Sequence, residues 1–345
     1  MAREFTPTEW IWRDGELVPW AEATLHVMSH VVHYGSSVFE GIRCYDTGDG
    51  PAIFRLHDHL RRLHDSARVY RMPLPHSTAH LGGACIDLVR RNGLEACYIR
   101  PIALRGFGAP GIDPRSCPVE TYIICWPWDA YLGADALERG IDVCVSSWRR
   151  PAPDTVPALT KAGGNYLSGQ LVAMDARLNG FDEGIALDPH GLVSEASGQN
   201  VFLVRDGVLI TPAVDGSQLP GITRDCVVTL ARDLGIAVRE ERVPRELLYM
   251  VDEAFLSGTA SEITPVRSVD RVPIGDGAVG PVTRALQERL LGIATGRLPD
   301  VHGWRTHVAD AKADARPAHQ TSSAHQTSGA RSQRSGVRVA RAKEG

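Results

Sequence analysis

Hydrophobic and polar positions in the first half of the chain switch repeatedly between a period of two and a period near 3.6. IWRDGELVPW alternates about Asp14-Gly15, a dipeptide that accepts the positive φ angles of a tight turn, and so predicts a hairpin. HDHLRRLHDSARVY (57–70) places apolar residues at 60, 63, 67 and 70, the spacing of one helix face. YIRPIALR (98–105) and VETYIICW (119–126) read as strands. PWDAYLGADA (127–136) has no period and suits a connection between two domains. The second half opens with the strand IDVCVSSW (141–148). GGNYLSGQLVAMDARLNG then predicts a helix with an apolar stripe at 167, 171, 174 and 178, closed by Gly180. EGIALDPHGLVSEASGQNVFLVRDGVLITP is a series of short strands with turns at 188–191 and 206–207. PGITRDCVVTLARDLG is an amphipathic helix with Gly235 just past its end, followed by the strand IAVREERV, and DEAFLSGTASEITPV is a strand running into a Gly-Thr turn. The final segment, with its tandem AHQTS repeat and almost no apolar residues, predicts disorder.

Composition narrows the class. The formal net charge of −4 divides into +4 over residues 310–345 and −8 over the body, a balance that excludes nucleic-acid binding without a concentrated basic patch, and none is visible. No apolar stretch approaches the ~20 residues of a membrane helix. Seven cysteines, an odd number with no CxxC, read as buried thiols of a reducing compartment, and the start MAREFTPTEW has no signal-peptide pattern. The expectation is a cytoplasmic protein.

One residue changes the picture more than any total. Lys161, in ALTKAGGNYLSG, is the only lysine in the first 309 residues, where 29 arginines supply the remaining fixed cations. A guanidinium does not give up its proton, so an amine that must act as nucleophile or base cannot be replaced by arginine. The count alone leaves open that one lysine escaped an arginine-biased composition. A stored imine-forming lysine points to pyridoxal phosphate, which further demands an acid for its ring nitrogen, a phosphate cradle and a donor to its ring oxygen. Glu195, at a strand end among small residues, suits the first. Gly221, Ile222 and Thr223 at a helix start suit the second, because free N–H groups and the helix dipole meet there. The Gly258–Ala260 turn and Arg62 add to that cradle, and Tyr166 suits the third role. Each alone also fits a cap, a surface charge or a core aromatic. Histidines cluster at 26, 30 and 33 and at 57, 59 and 64, but no carboxylate or cysteine pattern completes a metal set, so these read as core or solvated side chains.

HVMSHVVHYGSSVFEGIRCYD, RLHDSARVYRMP, KAGGNYL, LPGITRD and SGTASEITPVRSVD occur in that order. Together they resemble the branched-chain amino-acid aminotransferases, class IV aminotransferases of pyridoxal phosphate fold type IV, over about residues 8–305. The resemblance implies an α+β fold with a small N-terminal α/β domain (1–128), a linker (129–136), a larger domain with a β-barrel-like core (137–308) and a basic tail (309–345). It implies that Lys161 carries the cofactor, Glu195 faces its ring nitrogen, Tyr166 its ring oxygen and Leu219 its ring face. Arg62, Ile222, Thr223 and Thr259 would bind phosphate. Tyr98, Thr259 and Ala260 would hold the substrate α-carboxylate, and Phe39, Trp128 and Tyr131 would line the side-chain pocket. Tyr34 and Ile112 would come from a second copy of the chain in a homodimer or larger homo-oligomer, and Arg100 with Tyr34 would take the γ-carboxylate of glutamate. The implied reaction is transamination of leucine, isoleucine or valine with 2-oxoglutarate. D-amino-acid aminotransferases and aminodeoxychorismate lyases share the fold, but YIRP and HYGSSVFEG resemble the branched-chain group. A catalytically idle binding protein would have no reason to keep Lys161. Two stretches depart from the pattern: SEASGQN stands where relatives usually read SEGAGEN, and Pro110 replaces a larger apolar residue in the loop 106–114.

Overall fold

A computed structural model describes residues 5–128 and 134–308. Tyr131, most of the expected linker and the tail lie outside the described residues. The strands are β1 (Trp10–Arg13), β2 (Glu16–Pro19), β3 (Ser37–Phe39), β4 (Ile42–Tyr45), β5 (Ala52–Phe54), β6 (Cys97–Arg105), β7 (Val119–Pro127), β8 (Ile141–Arg149), β9 (Glu183–Leu187), β10 (Val193–Ala196), β11 (Asn200–Arg205), β12 (Val208–Pro212), β13 (Val238–Glu241), β14 (Glu253–Gly258), β15 (Glu262–Val269), β16 (Val272–Pro273) and β17 (Arg305–His307). The helices are α1 (His30–Tyr34), α2 (Leu56–Val69), α3 (Thr78–Arg91), α4 (Ala134–Arg139), α5 (Tyr166–Leu178), α6 (Ile222–Asp233) and α7 (Pro281–Ala294).

A first sheet runs β17-β5-β4-β6-β7-β1-β2, with β3 on β6. Its hairpin forms as the alternation requires: Arg13 faces Glu16, and Asp14 and Gly15 both take positive φ. Strand β17 joins this sheet by pairing with β5, although it lies after every element of the second sheet. Leu56, Leu60, Leu63 and Ala67 of α2 and Leu81, Cys85 and Leu88 of α3 bury against Ile42, Ile53, Ile99 and Ile123.

The second sheet runs β10-β9-β8-β15-β14-β11-β12-β13, and a further pairing of β10 with β11 closes six of its strands into a barrel. Ile141, Val143, Ile185, Val201, Leu203 and Leu256 fill this part of the core. Phe202 and Phe255, stacked at 5.0 Å, pack with α6 and α7, and Tyr45 and Phe54 of the first sheet join the same cluster. All seven cysteines are buried and free. No helix among the described residues is long and apolar enough to cross a membrane.

One helix turns a different face inward from the one its apolar stripe suggests. Helix α5 forms and ends at Gly180 with φ 75°, but Leu167, Leu171, Met174 and Leu178 are exposed, and Gly169, Val172 and Ala176 are its buried residues. The inward face is small because the backbones approach closely. A Cβ at Gly169 would lie 2.3 Å from the Ser197 carbonyl oxygen, and one at Gly184 would lie 2.8 Å from Val172.

Candidate active site

Both sheets contribute to one cavity of about 350 Å³. The first sheet supplies Phe39 from β3 and Tyr98 and Arg100, two residues apart on β6 and so on one face of the strand. Helix α2 adds Arg62. The second sheet supplies Glu195 from β10, Asn200 from β11 and the turn Gly258–Ser261 between β14 and β15.

Lys161 lies between the sheets in a tightly held backbone. Its N–H donates to Ser66 Oγ at 3.0 Å, its carbonyl accepts from the Phe39 N–H at 3.0 Å, and Ala162 bridges to Val38. Its amine contacts the Tyr166 hydroxyl and lies 4.8 Å from the Phe39 and Tyr166 ring centroids. The Gly163-Gly164 pair does not line the cavity. Its close approach is to the start of β3, where a Cβ at Gly163 would come within 2.4 Å of Ser37 Oγ.

Glu195, 5% exposed, accepts from Arg150 at 2.7 Å and from the Leu219 N–H at 3.1 Å. Burial pushes its carboxyl up from the ordinary range, and Arg150 and Leu219 pull it part of the way back. Helix α6 begins at Gly221 with no side-chain cap, leaving its first-turn N–H groups toward the cavity. Only glycine fits there, since a Cβ would meet Asn200 Oδ1 at 2.0 Å. Ser257 and Ser261 also line the cavity, with buried hydroxyls that have no partner among the described residues. Arg100 has no acidic partner among the described residues. Its guanidinium lies 4.8 to 5.7 Å from the centroids of Phe39, Tyr98 and Trp126, and its Nε is buried without an acceptor.

The donor set suits pyridoxal phosphate. An amine sits beside a phenol, a buried carboxylate closes one end, and an uncapped helix start with an arginine and orphaned hydroxyls closes another. The model for amino-transferase class IV matches residues 37–269. The chain belongs to the class IV amino-transferase family. This family member is 53% identical over 301 residues to the branched-chain-amino-acid aminotransferase of Escherichia coli (strain K12), covering 87% of this chain and 97% of that protein. It superposes on a crystal structure of an E. coli branched-chain amino acid aminotransferase with a TM-score of 0.86 at 52% identity, over 88% of this chain and all of the other (100%). A T.th. branched-chain amino acid aminotransferase with pyridoxamine 5'-phosphate matches with a TM-score of 0.85 at 46% identity, over 89% of this chain and 100% of that one.

Among class IV residues expected from the sequence, Arg62, Lys161, Tyr166, Glu195, Leu219, Ile222, Thr223, Thr259, Ala260, Phe39, Tyr98, Arg100 and Trp128 all line the cavity. Tyr34 and Ile112 do not. They are exposed at 48% and 81% and meet instead around His30, whose ring lies 4.5 Å from Tyr34 and whose Nε2 is 3.2 Å from the Ile112 carbonyl oxygen. The loop 106–114, including Pro110, stays outside the cavity. Gln199, the departure near Glu195, lines it and donates to the buried Glu183 at 3.3 Å.

Sequence reasoning missed Arg150, the ion partner of Glu195, and Glu40, the partner of Arg62. Both lie far along the chain from the groups they hold, 45 and 22 residues away, so no local spacing signals them. The only available signal for Glu40 was its place in HYGSSVFEG beside Phe39.

Proposed function

We propose that the chain is a pyridoxal phosphate-dependent transaminase exchanging the amino group of leucine, isoleucine or valine with 2-oxoglutarate, giving branched 2-oxo acids and L-glutamate. The observation that carries this is the lone lysine amine against Tyr166, in a cavity closed by Glu195 and by the bare start of α6. Pyridoxamine 5'-phosphate in the T.th. relative supports the cofactor.

When bound, pyridoxal phosphate supplies a ring that withdraws electrons from the substrate Cα. The protein's residues do the rest. Lys161 would anchor the cofactor, and its amine would take the Cα proton. Glu195 would keep a negative partner for the ring nitrogen, and Arg150 keeps Glu195 in place. Tyr166 would donate to the ring oxygen, and Leu219 would pack on the ring. Arg62, Ile222, Thr223 and Thr259 hold phosphate. Tyr98, Thr259 and Ala260 receive the α-carboxylate, while Phe39, Trp128 and Tyr131 surround the side chain. The uncompensated, aromatic-caged Arg100 lets an otherwise apolar pocket also accept the γ-carboxylate of glutamate. The two sheets form the cores of a small N-terminal and a larger C-terminal domain.

A homodimer or larger homo-oligomer completes the site, with Tyr34 and Ile112 of one copy serving the other. The exposed apolar stripe on α5 supports such an assembly, because exposed apolar surface of this kind marks contact faces. The seven buried free thiols suit a cytoplasmic protein. Purified protein given L-leucine and 2-oxoglutarate should form glutamate, and Lys161→Arg should abolish this with the circular dichroism spectrum unchanged. Turnover in that variant, or consumption of D-alanine or aminodeoxychorismate alone, overturns the reading.

A further inference from the structure

Arg62 is held by a buried arrangement that the transaminase chemistry does not itself require. Its Nε donates to Glu40 Oε1 at 2.7 Å, its Nη2 to Glu40 Oε2 at 2.9 Å, and its Nη1 to the Pro220 carbonyl oxygen at 3.0 Å. A guanidinium has five N–H donors in a rigid plane, so three are committed here and two remain. Pro220 immediately precedes Gly221, the N-cap of α6, so the two remaining donors lie next to the free N–H groups of that helix start.

Glu40 is completely buried and His59 is 1% exposed. Nδ1 of His59 lies 2.7 Å from Glu40 Oε2. An ionised carboxylate only accepts, so Nδ1 carries the proton and the imidazole fixes the same oxygen that accepts from Arg62 Nη2. Burial alone pushes the Glu40 carboxyl up, but Arg62 and His59 reverse this and hold it well below the usual carboxylate range. Burial also pushes His59 down, against the pull of Glu40, so the charged pair at neutral pH is Glu40 with Arg62.

The same short segment touches several other parts of the site. The Phe39 N–H binds the Lys161 carbonyl, the Glu40 N–H binds the Pro101 carbonyl at 2.8 Å, and Gly41 leaves room for the Tyr98 hydroxyl, which a Cβ would approach to 1.8 Å. Glu40 therefore ties the guanidinium of α2 to the strand segment that also fixes the lysine.

We infer that Glu40, backed by His59, is a positioning residue that holds the Arg62 guanidinium in the plane where its two free N–H groups, with the start of α6, receive a phosphate monoester. Glu40 itself touches no ligand. Electrostatics alone predicts the opposite, since a neighbouring carboxylate cancels the charge of Arg62. Removing it would then strengthen phosphate binding. The two accounts differ in sign.

The inference rests on the proposed cofactor, and the test separates the two. Equilibrium dialysis of the full chain with pyridoxal phosphate and, separately, with pyridoxal, which lacks the phosphate, gives the ratio of their dissociation constants. Glu40→Gln should weaken pyridoxal phosphate about tenfold or more while moving pyridoxal less than about twofold, as expected for a mis-set charged hydrogen-bond donor. An unchanged or larger preference for the phosphate form, or equal weakening of both ligands, overturns the inference. If Glu40→Gln does not fold, His59→Phe decides. That variant keeps the Glu40–Arg62 pair and should show a smaller loss confined to pyridoxal phosphate, and equal loss of both ligands refutes the role. Wild-type protein that takes up no pyridoxal phosphate would instead sink the proposed function, whereas wild-type selectivity retained in the variants sinks only the role of Glu40.

Discussion

Replacing Arg150 by methionine tests how the acid of the site is held. The guanidinium meets Glu195 at 2.7 Å, with the two side chains only 6% and 7% exposed. Methionine fills much of the stem volume but leaves a buried carboxylate with the Leu219 N–H at 3.1 Å and Asn200 Nδ2 at a marginal 3.5 Å. Stranding one charge of a buried pair destabilises a fold by about 3–5 kcal/mol, far more than the pair itself contributes relative to apolar residues. Equilibrium urea unfolding of cofactor-free protein, followed by circular dichroism, should show a loss in that range. The double variant Arg150→Met, Glu195→Gln should recover most of it, because the neutral amide has no charge to strand. The pH dependence follows from the raised Glu195 carboxyl. A carboxyl whose folded value lies above its unfolded value favours the fold fully below the unfolded value, and this contribution is lost as pH rises through the folded value. Removing Arg150 raises the folded value further. The deficit of the single variant should therefore be smaller near about pH 5 than near about pH 8, where the double variant should rescue most. A loss below about 1 kcal/mol, or a double variant no more stable than the single one, would refute the stranded-charge reasoning.

Other consequences are as direct. Arg100→Met should raise KM for 2-oxoglutarate by about tenfold or more while leaving KM for L-leucine within a few-fold, since only the γ-carboxylate loses its charged donor. Equal changes for both substrates in steady-state kinetics would remove Arg100 from that role. Leu171→Glu with Met174→Glu puts two charges on the exposed face of α5 and should yield a smaller species in sedimentation velocity, with lower turnover. An unchanged sedimentation coefficient would assign that face elsewhere.

Much of the site was legible along the chain because its parts are local. The helix start at Gly221, the Gly-Thr turn after β14 and the Lys161–Tyr166 spacing are each set within a few residues, and the five ordered stretches tie them together. The helix over 166–178 was equally legible, but its burial was not. Periodicity shows that Leu167, Leu171, Met174 and Leu178 share a face, whereas the close backbone approaches at Gly169 and Gly184 decide that the opposite, small face goes inward. Arg150 and Glu40 show the same division at the level of charge. Many arginines fit the pattern of the sequence equally well, and only the fold, which brings the residue after β8 to the carboxylate of β10 across β9 and packs α2 against β3, selects which one meets which carboxylate.

By itself, then, the sequence determined the order and type of most elements and singled out one lysine as the candidate amine, since these depend on turn chemistry, side-chain period and the acidity of single groups. Tertiary structure alone decided the barrel closure of β10 on β11, the return of β17 to the first sheet, the outward face of α5 and the buried partners of Glu195 and Arg62. Those features join residues tens or hundreds of positions apart, and a buried charge finds its partner only where the packed fold leaves no water to take its place.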